Sequence, residues 1–323
     1  MSLLAIVLAL LIEQVRPLQR GNPLHAAMRG WVRWVTRSFD AGHRHNAWVA
    51  WTLAVALPAL LALGVHWLLA EQWGWPFAVV WNVAVLYTAL GFRQFSFHFT
   101  DIRDALDAGD DDLARQLLAE WQQVDAAQVP RGETVRHVLE YSVLAAHRHV
   151  FGVLAWYSVL AAFGFGPAGA VLYRLGEFVP RYWKFKEKLH DLPVSSASQQ
   201  VAASAWYLID WLPARITSLG FAVVGSFEDA IEAWRSFAGR AGADNDGLIL
   251  AATAGAVNVR MGPAFSPDGQ GPGASGDMAD RPAAPIGQVP EAAHLRTIVG
   301  LVWRSVVMWI ILLALLTLAR LLG

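Results

Sequence analysis

Residues 48–70, WVAWTLAVALPALLALGVHWLLA, carry no Asp, Glu, Lys or Arg. About 20 such residues in a helix cross the hydrocarbon core of a bilayer, and a soluble fold has no way to bury an apolar run of this length on all sides. Pro58 inside the run predicts a kink. A tight turn at Glu71–Gly74 leads into a second span, Trp75–Phe92. Near the other end, Ile298–Leu318 reads as a third, interrupted only by Arg304. Ser2–Ile12 is apolar but lacks a basic region before it and a small-residue cleavage site after it, so it reads as a retained membrane segment rather than a signal peptide. The composition agrees. Of the 323 residues, 55% are hydrophobic and only 16% are charged, whereas soluble domains carry about a quarter charged residues. The 16 tryptophans suit rings seated at two membrane interfaces. A net charge of −1 gives no reason to expect a nucleic-acid partner. The absence of cysteine excludes disulfides and thiolate chemistry. The expected fold class is all-α, a polytopic integral membrane helical bundle of the bacterial inner membrane, with interfacial and cytoplasmic helices.

Two further apolar stretches are irregular. Residues 150–175 are broken by Gly164, Gly166, Pro167 and Gly169, and residues 203–225 contain Asp210, Pro213 and Arg215. Membrane proteins build sites where apolar segments are interrupted and carry charge. A kinked helix with an internal Asp210–Arg215 pair is the plainer reading. Orientation follows basic residues. Arg16, Arg20, Arg29, Arg33, Arg37 and Arg44 place the first loop in the cytoplasm, and the hairpin that follows returns the chain there for an insert at 93–148. Arg174, Arg181, Lys184, Lys186 and Lys188 form a second basic loop, which suits the same side if 150–175 is a re-entrant hairpin. Residues 23–39 form an amphipathic interfacial helix, with Arg29, Arg33 and Arg37 on one face for anionic lipid and Leu24, Met28, Trp31 and Val35 on another. Residues 100–140 read as two helices broken at Gly109, with Asp110, Asp111 and Asp112 capping the second. The expected organisation is thus a helical membrane domain at 1–240, a segment at 241–297 with a disordered linker at 262–290, and a terminal transmembrane helix at 298–323.

No P-loop, H-E-x-x-H or G-x-S-x-G string occurs. His43/His45 and His147/His149 are H-x-H pairs, and residues two apart on a helix point about 200° from each other, so neither pair chelates one ion unless the backbone is extended. They read as structural or interfacial histidines. No resident metal-ligand set emerges from the residues.

Four strings in order resemble the CobD/CbiB family of cobalamin-biosynthesis membrane proteins. Gly109-Asp110 with Ala114-Arg115 is similar to that family's G-D-x3-A-R. Gly166 to Ala170 leading to Tyr173-Arg174 is similar to its G-A-P-G-A-x2-Y-R. Asp210 to Arg215 resembles its D-x-x-N-x-x-P-A-R block. Ala251-Ala252 through Gly255-Ala256 to Val259-Arg260-Met261-Gly262 resembles its A-A-x-A-G-A-L-x-V-R-L-G. The resemblance implies an amide-forming synthase that joins adenosylcobyric acid to aminopropanol or its phosphate, with ATP and Mg²⁺. Carried over residue by residue, it makes Asp210, Arg215 and Asp110 the catalytic candidates and Arg115, Tyr173, Arg174, Asn245, Asp246 and Arg260 the ligand-binding ones. Arginines would hold phosphate, acids would hold magnesium, and a corrinoid or other small molecule would be the ligand.

The chain departs from that pattern at polar positions. Val124-Asp125-Ala126 stands where G-R-D-T is expected, Ala146-His147-Arg148-His149 where E-N-x-x-D is expected, and Leu175 to Phe178 where N-T-L-D is expected. Ala243 to Gly247 is a reduced S-P-N-x-G. A sister branch, the AmpE-type inner-membrane modulators associated with β-lactamase induction, resembles the chain at Leu10 to Gln14, at Asp210, Trp211, Pro213 and Arg215, and at Val224-Gly225 with Ala233-Trp234. Two expectations therefore stand side by side: a synthase of cobalamin assembly, and a non-catalytic sensor of the inner membrane.

Overall fold

The computed structural model describes residues 2–16, 23–122, 131–188, 194–240, 242–262 and 287–322. Among these residues the secondary structure is helical, apart from an isolated bridge between Val259 and Gln288. The all-α expectation holds. Two compact units emerge, one made of Met1–Gln94, Ala146–Pro213 and Trp309–Gly323, the other of Phe95–Ala145 and Ala214–Met308.

In the first unit, α1 (Ser2–Val15) packs on α4 (Trp75–Ala89). The amphipathic helix α2 (Pro23–Phe39) lies against α3 (Arg44–Gln72), the helix grown from the 48–70 run. Arg29, Arg33 and Arg37 are exposed as expected. The apolar side of α2 is covered by protein: Val32 and Val35 join Ala50, Ala54, Val55, Val179 and Trp183 in one core, and the Trp183 indole donates to Thr36 Oγ1 at 2.9 Å. At the end of α2 the Asp40 carboxylate accepts from Ser195 N at 2.8 Å and from Ser195 Oγ at 2.6 Å, which ties this turn to the start of α10 (Ser196–Val224).

Among the described residues, three helical runs are long and apolar enough to cross a membrane: Arg44–Gln72, Arg131–Ala162 and Ala292–Ala319. The second of these replaces the expected span Trp75–Phe92. Helix α4 has 15 residues, about 22 Å of rise against a hydrocarbon core of about 30 Å. It stops because Leu90 is extended, with φ −72° and ψ 151°. After α4 come α5 (Phe92–Asp107) and α6 (Asp111–Gln122), separated at Gly109 with φ +77° as the sequence predicts.

The apolar stretch expected to start at Val150 belongs to a helix that starts at Arg131. Helix α7 (Arg131–Ala146), a π-helical turn at His147–Phe151 and α8 (Gly152–Ala162) run on without a break. The polar beginning of this run is neutralised within itself, because Arg136 pairs with both Glu133 and Glu140. The turn at 163–167 then opens into α9 (Ala168–Lys188), which packs beside α8 as the hairpin its glycines suggest. Gly164 and Gly166 hold φ +83° and +50° there, a region that side chains disfavour. Arg174, Arg181, Lys184 and Lys186, expected on a loop, lie on α9 itself.

In the second unit α11 (Phe227–Ala238) packs tightly on α12 (Asn245–Val257). A Cβ on Gly255 would lie 2.3 Å from the Asp229 carbonyl oxygen, so the small residues of 251–256 serve close helix approach. The terminal helix α13 (Ala292–Leu322) exposes Val307, Ile311, Leu312, Leu315 and Leu316 along the part read as a span. The linker expected at 262–290 falls mostly outside the described residues.

Candidate functional site

Asp210 sits in the middle of α10 with no solvent exposure. Three local features bring partners to it. The π-helical turn carries a bond from Gly152 N to the His147 carbonyl and turns His147 toward α10; such single turns recur at functional positions. Gly152 leaves room for Tyr173 of α9, whose Cζ would lie 2.0 Å from a Cβ built there. Pro213 has no N–H, so the carbonyl of Ile209 loses its partner one turn on. The Trp156 indole replaces that donor at 2.8 Å and fixes the backbone just before Asp210.

The result is a buried triangle. Asp210 Oδ1 lies 2.8 Å from His147 Nε2 and accepts from the Tyr173 hydroxyl at 2.8 Å, and that hydroxyl is 3.2 Å from His147 Nε2. With Oδ1 accepting from Nε2–H and from the hydroxyl, both donors are satisfied by one oxygen. The other, Asp210 Oδ2, is buried and finds no donor among the described residues. Leaving a buried carboxylate oxygen unbonded costs on the order of 1–3 kcal/mol, so this oxygen is a candidate acceptor for a ligand group.

Beside the triangle on α9 is a charged cluster. Arg174 Nη1 is 2.8 Å from His149 Nδ1 and donates to Glu177 Oε2 at 3.2 Å, and Arg181 pairs with the other Glu177 oxygen. His147 and His149 thus engage different partners, as their spacing predicts. Sequence reading put neither at a site. Asp210 lies 63 positions from His147, and nothing local in the H-x-H string points to it.

The remaining candidates fall elsewhere. Asp210 bonds His147 and Tyr173 within the first unit. In the second unit Arg215 Nη1 donates to Asn245 Oδ1 at 3.3 Å, in the first turn of α12, where Asp244 caps Gly247 N at 2.9 Å. Asp246 lies in the same turn. Asp110 caps α6 by accepting from Leu113 N at 3.0 Å, and Arg115 pairs with Asp112. Arg260 donates to the Gly287 carbonyl at 2.9 Å, beside the bridge that joins the two ends of the undescribed stretch. Among the described residues, no three His, Asp or Glu side chains are grouped to hold a metal ion.

Comparison with known proteins agrees with the four strings. The chain is 29% identical over 274 residues to the cobalamin biosynthesis protein CobD of Stutzerimonas stutzeri, covering 84% of this chain and 82% of that protein. To the protein of the same name from Chromobacterium violaceum it is 32% identical, covering 72% of this chain and 69% of that one. The Mycobacterium tuberculosis protein of that name is 29% identical, with 70% and 68% covered. No solved structure matches the chain significantly. Residues 2–302 match the family described as CobD/Cbib protein, and the chain belongs to that family.

Proposed function

We propose that this protein acts in cobalamin biosynthesis as a multi-pass inner-membrane synthase. It would form an amide between the carboxyl of adenosylcobyric acid and the amine of aminopropanol or its phosphate, at the expense of ATP. The observation that carries the reading is the Tyr173–Asp210–His147 triangle. Two of its members stand in strings shared with the family, and the third occupies a position where the family's own polar string is missing.

Amide formation needs an uncharged amine, a carboxyl made electrophilic and a place for phosphate oxygens. Asp210 Oδ2 would accept the proton that the attacking amine gives up, while His147 and Tyr173 hold the carboxylate in one orientation. Magnesium is commonly held by only one or two carboxylates together with substrate phosphates. A resident ion would need more groups than the triangle offers, so magnesium would enter together with the substrate phosphates. The ion would supply charge neutralisation for the phosphates. Arg174 and Arg181 are the nearby cations suited to phosphate oxygens.

The second reading, a non-catalytic modulator of the AmpE type, is favoured by the lost G-R-D-T, E-N-x-x-D and N-T-L-D strings. Complementation separates the two. In a cobalamin auxotroph lacking its own CobD/CbiB protein and fed adenosylcobyric acid, the synthase restores growth. No growth, with the chain present in the membrane fraction, moves the reading to the modulator.

A further inference from the structure

The first unit has two chemically different ends. Helix α3 starts at the exposed Arg44 and presents exposed indoles at Trp48 and Trp67. Those two lie about 28 Å apart at 1.5 Å per residue, close to the ~30 Å of a hydrocarbon core. The turn between α8 and α9 lies at the level of Trp67, whose indole donates to the Gly164 carbonyl at 3.1 Å and whose ring meets Phe165. Residues 67–77 and 162–168, which make up this end, contain Glu71 and no Lys or Arg. At the other end, the Tyr87 hydroxyl in the last turn of α4 donates to the Arg16 carbonyl at 2.6 Å, and Trp183 of α9 holds Thr36 of α2. Arg16, Arg44, Lys184 and Lys186 therefore gather at the end where α2 lies. Helix α2 adds Arg29, Arg33 and Arg37, all exposed, and carries no acid. Among the other acids near this end, Glu13 and Glu177 are buried and Asp40 accepts from Ser195, while Glu187 is exposed.

We propose that α2 is a docking surface for anionic phospholipid, with Arg29, Arg33 and Arg37 binding headgroup phosphates of the cytoplasmic leaflet. The four-residue spacing puts the three guanidinium groups on one face of the helix, and their forks match phosphate oxygens. An end rich in Arg and Lys, opposite one with none, faces the cytoplasm, and the leaflet there carries the negative lipids. A free amphipathic helix inserts its apolar face into lipid. Here Val32 and Val35 are already buried against α3 and α9, so headgroup charge is what remains for α2 to recognise. That same packing holds the arginines in place and lowers the ordering cost of binding. Charge alone would also suit an acidic protein. Trp34 decides for the headgroup region: it lies beside the arginines, is 53% exposed, and stacks on Trp31 with ring centroids 5.2 Å apart. The inference rests on the membrane placement in the synthase reading and not on its amide chemistry.

The test places the full chain in phosphatidylcholine vesicles with a trace of spin-labelled phosphatidylglycerol or spin-labelled phosphatidylcholine, and compares how much of each the protein immobilises. The wild-type chain should prefer phosphatidylglycerol, and the preference should fall as salt rises. Replacing Arg29, Arg33 and Arg37 together by Gln should lower it fivefold or more, roughly fivefold being the share of one arginine near an anionic surface. The same three positions changed to Lys keep the charge and should keep most of the preference, which separates lost charge from lost fold. Equal immobilisation of the two lipids by the wild-type chain overturns the proposal and leaves the arginines to an acidic protein. An undiminished preference in the Gln variant overturns it as well. The side of the membrane is checked separately. The chain has no cysteine, so Ser38→Cys on α2 and Gln72→Cys at the opposite end each supply a single thiol at an exposed position. In intact spheroplasts an impermeant maleimide should label Gln72→Cys and not Ser38→Cys, and the reverse pattern overturns the cytoplasmic placement. Neither readout is growth, so failure here and failure of complementation are distinguishable.

Discussion

Replacing Tyr173 by Phe removes one hydroxyl from a fully buried site and leaves the ring against Gly152 and Trp206 in place. The hydroxyl donates to Asp210 Oδ1 at 2.8 Å. A hydrogen bond to a charged group contributes about 1.5–3 kcal/mol, and one between neutral groups about 0.5–1.5 kcal/mol. Tyr173→Phe alone should therefore destabilise the protein by about 2 kcal/mol. In the Asp210→Asn background the same hydroxyl meets a neutral amide oxygen, and its removal should cost about 1 kcal/mol. The coupling between the two positions is then about 1 kcal/mol, within the range for residues in direct contact. Absolute stability of Asp210→Asn is a poor guide, because losing the charge also relieves the desolvation of a buried carboxylate. The assay is equilibrium unfolding of the four forms in mixed micelles, followed by tryptophan fluorescence. If the two substitutions add to within roughly 0.3–0.5 kcal/mol, the hydroxyl does not bond Asp210 and the triangle is wrong. Complementation gives an independent reading: Asp210→Asn removes the proposed proton acceptor and should abolish growth, whereas Tyr173→Phe keeps Oδ2 and should only slow it.

Gly152→Ala should place a methyl carbon inside the Tyr173 ring contact, which overpacking at about 1–3 kcal/mol or more cannot accommodate without moving the ring; a lowered thermal midpoint together with lost growth is the expected result. Asp40→Ala should remove the acceptor for both Ser195 groups at the start of α10, at about 1–2 kcal/mol, read as a fall in midpoint at neutral pH. Burial alone would raise the Asp40 carboxyl, but the bonds from Ser195, Ser198 and Gly42 outweigh it and hold the group below the usual carboxylate range. The folded state therefore releases this proton more readily than the unfolded chain, so the stabilisation is complete above about pH 4 and is lost as pH falls through the folded value. The Asp40→Ala and wild-type midpoints should converge in acid, and a constant gap from neutral to strongly acidic pH would contradict the assignment. Arg215→Ala should abolish growth while the protein stays in the membrane fraction; disappearance of the protein would make Arg215, which donates to Asn245 at 3.3 Å, a structural residue.

Hydropathy and glycine positions made much of the helical layout legible, because both act locally. The 48–70 run fixes α3, Gly109 separates α5 from α6, and Gly164 and Gly166 make the turn between α8 and α9. Length was misjudged where a break depends on one backbone angle. Leu90 is apolar, and nothing in its identity announces that the chain extends there. The same limit applies to the site. Asp210 was visible as a charge in an apolar run, and Tyr173 and Arg174 through a shared string. His147 was not, because its role is set by a π-helical turn and by a partner on another helix. A two-residue histidine spacing says which way the rings diverge and nothing about what each one meets.

That His147 was missed bears on the choice between synthase and modulator. The departures from the family pattern counted against catalysis because acidic and amide groups are absent where they were expected. Yet His147 stands within the altered string Ala146-His147-Arg148-His149, and its ring closes the triangle on Asp210. His149, from the same string, meets Arg174 in the charged cluster beside it. A string degraded by drift has no reason to place one histidine on Asp210 and the next on Arg174, in a helix whose neighbouring turns are apolar. The substitution of this string therefore reads as replacement of one polar set by another, which is the stronger argument for a working site at Asp210.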